Sequence, residues 1–194
     1  MANIDLLKQL REETGISVSE CKKALEEAGS DIKRAKEILR ERGKEIMKGK
    51  ATRAVSKGLI EVYLHPGSKV GVLLELSCES DFVAKGEDFK KLAHELCLQI
   101  AAARPMFVRA EDIAPEIIEA EKKIYQKQAE ALAKPANFTE QIVQGKLKKY
   151  KDEVSLLSQP WVKDVSKSIS DLIADYVSRL GERIEVKRFT RYEI

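Results

Sequence analysis

The chain has 194 residues, 35 of them Lys or Arg and 32 Asp or Glu, for a formal net charge of +3, and 43% of it is hydrophobic. That length suits one mid-sized domain, or a small domain beside one of ordinary size. The near-balance of charge excludes a polycationic nucleic-acid coat, which binds through many unpaired cations, and the apolar fraction excludes a disordered chain.

Residues 1–43 read as three short helices. Asn3 is expected to cap the first, whose apolar positions are Ile4, Leu7 and Leu10 and which breaks at Thr14-Gly15. Ser17-Val18-Ser19-Glu20 fits a capping box, in which the serine oxygen accepts from an orphan amide and the glutamate reaches back. The second helix places Val18, Cys21, Ala24 and Leu25 on one face and meets Gly29 at its end. Ser30 or Asp31 caps a third helix carrying Ile32, Ala35, Ile38 and Leu39, which Gly43 is expected to end. A three-helix unit of about 40 residues is near the lower limit for independent folding.

Residues 44–57 carry Lys44, Lys48, Lys50, Arg53 and Lys57 against one acid, Glu45. Two readings stand: a basic linker that touches an acidic partner or RNA, and a solvated linker or helix face. The core, 58–194, begins with a change of period to two. Ile60, Val62 and Leu64 alternate up to the Pro66-Gly67 turn, and Val70, Val72, Leu74, Leu76 and Cys78 alternate on the return, which predicts a hairpin.

A helix follows over about 87–104, with Phe89, Leu92, Ala93, Leu96, Ile100 and Ala103 as its buried stripe and Pro105 as its stop. Residues 111–153 are rich in helix formers and are broken at Lys134-Pro135-Ala136-Asn137, which predicts an antiparallel helical hairpin. A last helix is expected over about 165–180, with Ile169, Leu172, Ile173 and Tyr176 on one side and Gly181 at its end. Residues 183–194 alternate again, except that Phe189 falls out of phase. A third strand with a bulge accounts for that. The expected class is α+β: a three-helix domain, a basic linker, and a core with a small antiparallel sheet packed by helices.

No apolar run approaches the roughly 20 residues of a membrane-spanning helix. Met1-Ala2-Asn3-Ile4-Asp5 lacks a basic segment followed by an apolar one, so a cytoplasmic setting is expected. Cys21, Cys78 and Cys97 are odd in number and scattered, which points to reduced thiols.

Signatures of covalent chemistry are missing. His94 and Cys97 lie three apart on a predicted helix, but no CxxC or HxxxH supplies the remaining ligands of a zinc site. No GxSxG elbow occurs. Gly43 to Ala51 resembles a phosphate loop only loosely. Five residues separate its glycines where four are needed, and Ala51 has no hydroxyl for magnesium. A binding protein is expected, not an enzyme, with no metal or cofactor of its own. The alternative is an RNA- or ribosome-associated protein. Its basic cluster at Lys146, Lys148, Lys149 and Lys151 lacks interleaved aromatic pairs as stacking platforms, so no direct nucleic-acid contact is expected.

One segment stands out, Cys78-Glu79-Ser80-Asp81-Phe82-Val83-Ala84-Lys85, between a buried strand and a helix. Ser80 can cap a short turn, with Asp81 in its favourable first position. Phe82 then either folds inward as a core staple or stands out as an apolar wedge beside a carboxylate.

At these residues the chain resembles the bacterial elongation factor Ts family, guanine-nucleotide exchange factors for elongation factor Tu. Leu10-Arg11-Glu12-Glu13-Thr14-Gly15 with Glu20-Cys21-Lys22-Lys23-Ala24-Leu25 is similar to the family's N-terminal signature, and Ser80-Asp81-Phe82-Val83 to its Thr-Asp-Phe-Val motif. Gly145 to Tyr150, Gln159-Pro160-Trp161-Val162 and Arg188 to Glu193 match further blocks, so the resemblance covers essentially the whole chain.

The resemblance implies a ubiquitin-associated-like N-terminal domain that docks on the partner's GTPase domain. Leu10, Arg11, Val18 and Lys22 are the docking candidates. It implies that Ser80, Asp81, Phe82 and Val83 form the partner-binding, magnesium-displacing site, with Asp81 and Phe82 pushing in near magnesium and the switch elements. It also implies a single core subdomain, where longer members carry two, and a homodimer that supplies the full contact set in a 2:2 complex. Two departures are visible. Serine replaces threonine at position 80 and still caps, and Ile16-Ser17-Val18-Ser19 is less apolar than the family pattern. No cysteine lies in the last strand, so no disulfide there holds a dimer.

Overall fold

A computed structural model of the chain describes residues 4–130 and 136–194. In chain order its elements are α1 (Ile4–Thr14), α2 (Val18–Glu27), α3 (Ile32–Gly49), β1 (Lys57–Leu64), β2 (Val70–Cys78), α4 (Asp81–Lys85), α5 (Glu87–Ala103), α6 (Pro115–Glu130), α7 (Ala136–Val154), β3 (Pro160–Trp161), β4 (Asp164–Ser168), α8 (Ile169–Leu180) and β5 (Ile184–Glu193). The class is α+β, as expected. The chain divides into two compact units, Met1–Leu98 with Ser170–Ile194, and Gln99–Ile169.

In the first unit, α1, α2 and α3 close on Leu10, Cys21, Leu25, Ile38 and Leu39. Ser17 caps α2 by accepting from the Glu20 amide at 3.4 Å. The Glu20 carboxylate takes Lys23 at 2.9 Å and Arg42 at 3.2 Å, the cations being stronger partners than the Ser17 amide the capping box requires. Asp31, not Ser30, caps α3: its Oδ1 accepts from the amides of Lys33 and Arg34 at 2.8 and 3.1 Å. The expected cap at Asn3 lies outside the described residues.

α3 does not end at Gly43. It runs on to Gly49, so residues 44–49 of the expected linker are helical. Gly43 is buried, and a Cβ there would press on the Ser178 hydroxyl and stand 3.0 Å from the Ala174 carbonyl oxygen of α8. The glycine is present because two helices approach closely, and it looks like a stop only in a one-dimensional reading.

Three further ties bind the helices to α8 and the loop after it. Arg179 donates from Nε and Nη2 to the Thr14 carbonyl at 3.1 and 2.7 Å. Lys44 pairs with Asp171 at 2.5 Å, and Lys50 donates to the Gly181 carbonyl.

The main sheet is antiparallel in the order β1-β2-β5, with the hairpin where the period of two placed it. The expected bulge in β5 exists. Glu75 pairs with Arg188 but Leu76 with Val186, which leaves Lys187 as the extra residue. The slip returns Phe189 to the side of Val186 and Ile184, opposite Leu74. On β1 the alternation holds, and the apolar set is the exposed one: Ile60, Val62 and Leu64 are 63%, 64% and 60% exposed. The covered face carries Leu59, Glu61 and Tyr63. There His94 of α5 lies 3.4 Å from Glu61 and packs edge-on against Tyr63. Phe89, Leu92, Ala93 and Leu96 of α5 are fully buried, as their spacing indicated.

In the second unit, α6 and α7 pack through Ala129, Val143 and Leu147, and Lys146 donates to Gln128 at 2.6 Å. Of the expected break between them, Lys134 and Pro135 lie outside the described residues, and Ala136 opens α7. The helix expected from residue 165 begins at Ile169, because 164–168 pair with Pro160-Trp161 as a small hairpin. Buried Gln99 and Gln159 tie this unit internally. Gln99 donates to Gln159 at 3.0 Å and accepts from the Val162 amide at 2.9 Å, while Gln159 donates to the Glu153 carbonyl at 2.7 Å.

The three cysteines are free and buried, and burial pushes the Cys97 thiol up to about 12. Among the described residues no helix is long and apolar enough to cross a membrane.

Candidate functional site

The site grows from the end of the central strand. Cys78 closes β2 and is paired on both sides, with Lys57 of β1 and Ile184 of β5, so the chain leaves the sheet from a fixed position. Three residues later α4 begins. Five residues are too few for a helix to stand alone, because nucleation fixes several dihedrals for one hydrogen bond. α4 therefore needs caps and packing.

Ser80 supplies the cap, its Oγ accepting from the Val83 amide at 3.3 Å while its carbonyl accepts from Ala84 at 3.1 Å. Packing comes from Val83 and Ala84, which are buried as α4 lies against β1 and β2. That anchoring turns the preceding residue outward: Phe82 is 88% exposed. Of the two readings open in the sequence, the outward one holds. A phenyl ring left in water forgoes roughly 1.5–3 kcal/mol of burial.

Asp81 is also exposed, and its Oδ2 lies 3.4 Å from Lys57 Nζ. The residue before the cap is charged and bound on both oxygens. Glu79 Oε1 accepts from the Arg183 amide at 2.6 Å and Oε2 from Arg53 at 3.2 Å. The Arg183 amide, with Arg53 behind it, holds the Glu79 carboxyl below the usual carboxylate range against the opposing effect of burial. Burial pushes the neighbouring Cys78 thiol up.

The four residues Ser80 to Val83 thus share one short turn with separate tasks: a cap, an exposed charge, an exposed ring and a buried anchor. The N-terminal candidates do not form such a group. Leu10 is fully buried in the three-helix core, where its methyls offer no surface. Arg11 is exposed at the end of α1, and Val18 and Lys22 are exposed one turn apart on α2.

The chain matches the family model described as Elongation factor TS over residues 5–194. The chain belongs to the elongation factor Ts family. It is 51% identical to elongation factor Ts of Coprothermobacter proteolyticus over 189 residues, which covers 97% of this chain and 96% of that one. It is 48% identical to elongation factor Ts of Thermotoga petrophila, with 99% and 96% covered, and 48% identical to that of Koribacter versatilis, with 97% and 86% covered. Membership in the elongation factor Ts family places the chain in protein biosynthesis, at translation elongation.

Sequence reasoning did not find Glu182, Arg183 and Arg53, which surround the Ser80 turn. They lie 102, 104 and 26 residues from their partners Ser80 and Glu79. No local spacing signals such pairings.

Proposed function

We propose that the chain is a guanine-nucleotide exchange factor for elongation factor Tu, binding the GDP form and promoting loss of GDP and magnesium so that GTP can reload. The observation that carries this reading is the 88% exposed Phe82 on an anchored turn beside the Asp81 carboxylate. The work is done by binding. A factor that prefers the nucleotide-free GTPase weakens nucleotide affinity by its own differential affinity for the two states. Phe82 wedges between packed elements of the GTPase domain. Asp81 brings negative charge and competing acceptor oxygens toward the magnesium shell. No covalent step and no cofactor of the factor itself enters, so it is not an enzyme in that sense, and it acts in the cytoplasm, where translation runs.

The factor acts as a homodimer in a 2:2 complex. The outer face of the sheet supports this. Ile60, Val62 and Leu64 stand exposed on β1, Leu73 lies opposite Val62, and Tyr192 lies opposite Gly71. On that face Glu75 pairs with Arg188 at 2.7 Å and Glu185 with Lys187 at 2.9 Å, so these charges are already neutralised within the chain. A self-complementary apolar face of this kind suits a two-fold contact.

Linkage supplies the test. Reciprocity requires GDP to weaken factor binding by the same factor as the factor weakens GDP. Titration of nucleotide-free elongation factor Tu with this protein at rising GDP is expected to show affinity falling steadily. Affinity indifferent to GDP would contradict the proposal.

A further inference from the structure

Glu182 sits in the loop between α8 and β5, far along the chain from the exchange turn, yet its carboxylate closes on that turn with both oxygens. Oε2 accepts from the amides of Glu79 and Ser80 at 3.1 and 2.9 Å, and Oε1 accepts from the Ser80 hydroxyl at 2.5 Å. The tie is reciprocal, since Glu79 accepts from the amide of Arg183, the residue after Glu182. The Ser80 hydroxyl works in both directions: its proton goes to Glu182 and one lone pair receives the Val83 amide.

The loop that carries Glu182 is itself fixed. Gly181 takes φ +73°, a left-handed conformation that closes α8 and that a side chain resists. Its carbonyl accepts from Lys50, and the Arg183 guanidinium bonds the Arg53 carbonyl and, at 2.9 Å, Glu185. An exposed ring on a one-turn helix has no packing of its own to set its direction. Its aim depends on the backbone of 79–83, and two of the donors in that stretch end on one carboxylate.

We propose that Glu182 is the positioning residue of the exchange turn, holding Asp81 and Phe82 in the orientation that engages the GTPase. This rests on the reading of those two residues as the exchange site. Glu182 acts through the Ser80 backbone and hydroxyl.

The test is a double-mutant cycle on release of a fluorescent GDP analogue from elongation factor Tu, using the full chain. Glu182→Ala is expected to slow factor-driven release by about tenfold, the effect of losing bonds to a charged group. Combined with Phe82→Ala it should add nothing further, because a misaimed ring and a missing ring fail alike. Glu182→Gln keeps one acceptor oxygen and should fall between Ala and wild type. If the alanine variant does not fold, the glutamine variant carries the same cycle. Amide exchange at Glu79 and Ser80 should accelerate in both variants, while exchange in the β2–β5 ladder is unchanged. Wild-type release with Glu182→Ala, where Phe82→Ala is slow, overturns the positioning role. So does additivity of the two substitutions. Wild-type release with Phe82→Ala is a different outcome and overturns the exchange-site reading itself.

Discussion

Lys57 Nζ lies 3.4 Å from Asp81 Oδ2, so the Asp81 charge is already partly offset within the chain. Both side chains are largely in water, where such a pair is worth at most about 1 kcal/mol. If Asp81 works through its charge near magnesium, Lys57→Ala uncovers that charge. Release of GDP should then quicken by up to about fivefold at low ionic strength. The gain should vanish near 1 M salt, where screening acts within about 3 Å. Equal rates at low salt would show that Asp81 does not act by charge.

The close approach of α3 and α8 predicts a packing cost. Gly43→Ala places a methyl against the Ser178 hydroxyl and the Ala174 carbonyl oxygen at 3.0 Å. Overpacking of this kind costs about 1–3 kcal/mol, and alanine returns up to about 1 kcal/mol of helix propensity. The net expectation is a loss of about 1–2 kcal/mol and a Tm lower by about 2–8 °C. Ser178→Ala alone should cost little, because its buried hydroxyl has no hydrogen-bond partner among the described residues. Added to Gly43→Ala it should restore part of the loss.

Glu79 predicts an acid-side transition. Its carboxyl is held low first by the Arg183 amide and then by Arg53. A depressed carboxylate contributes stability in full above the unfolded value, about 4.3 for glutamate. That contribution is lost as pH falls through the folded value. Carbon-detected NMR titration of the Glu79 carboxyl should give a midpoint below the reference. Arg53→Ala should raise it only part of the way, since the amide remains. A midpoint at or above the reference would contradict the paired geometry.

The exposed sheet face predicts a dimer that charge can break. Val62→Glu puts one carboxylate on each side of a two-fold contact. Each buried apolar side chain lost from the interface costs about 1.5–3 kcal/mol. Sedimentation analysis should show the dimer weakened by at least about a hundredfold, with the circular dichroism unchanged. An unaltered dimer would place the interface elsewhere.

How much of this was legible in the sequence depended on the range of the interactions involved. Period two placed the β1–β2 hairpin, and the out-of-phase Phe189 announced a bulge that Lys187 supplies. The spacing of Phe89, Leu92, Ala93 and Leu96 gave the buried face of α5 correctly. Gly43 was misread because a glycine that ends a helix and one that lets another helix approach look the same in one dimension. Val165 to Ser168 passed as the start of α8, since four residues before a strong helical stripe carry no period of their own. The direction of Phe82 was undecidable, because a five-residue helix has no stripe to read. The sign of the Ile60, Val62 and Leu64 face was hidden for a related reason: alternation shows that two faces differ, not which one is covered within a single chain. Glu182 stayed invisible because its role exists only once Gly181 to Arg183 fold back beside Ser80.

The most direct measurement is release of a fluorescent GDP analogue from elongation factor Tu in magnesium, with wild-type protein and with Phe82→Ala. Wild type should accelerate release by orders of magnitude. The substitution should cost a contact-hot-spot share of about 1–3 kcal/mol, a slowing of roughly tenfold to a hundredfold. Release by Phe82→Ala at the wild-type rate would contradict the wedge.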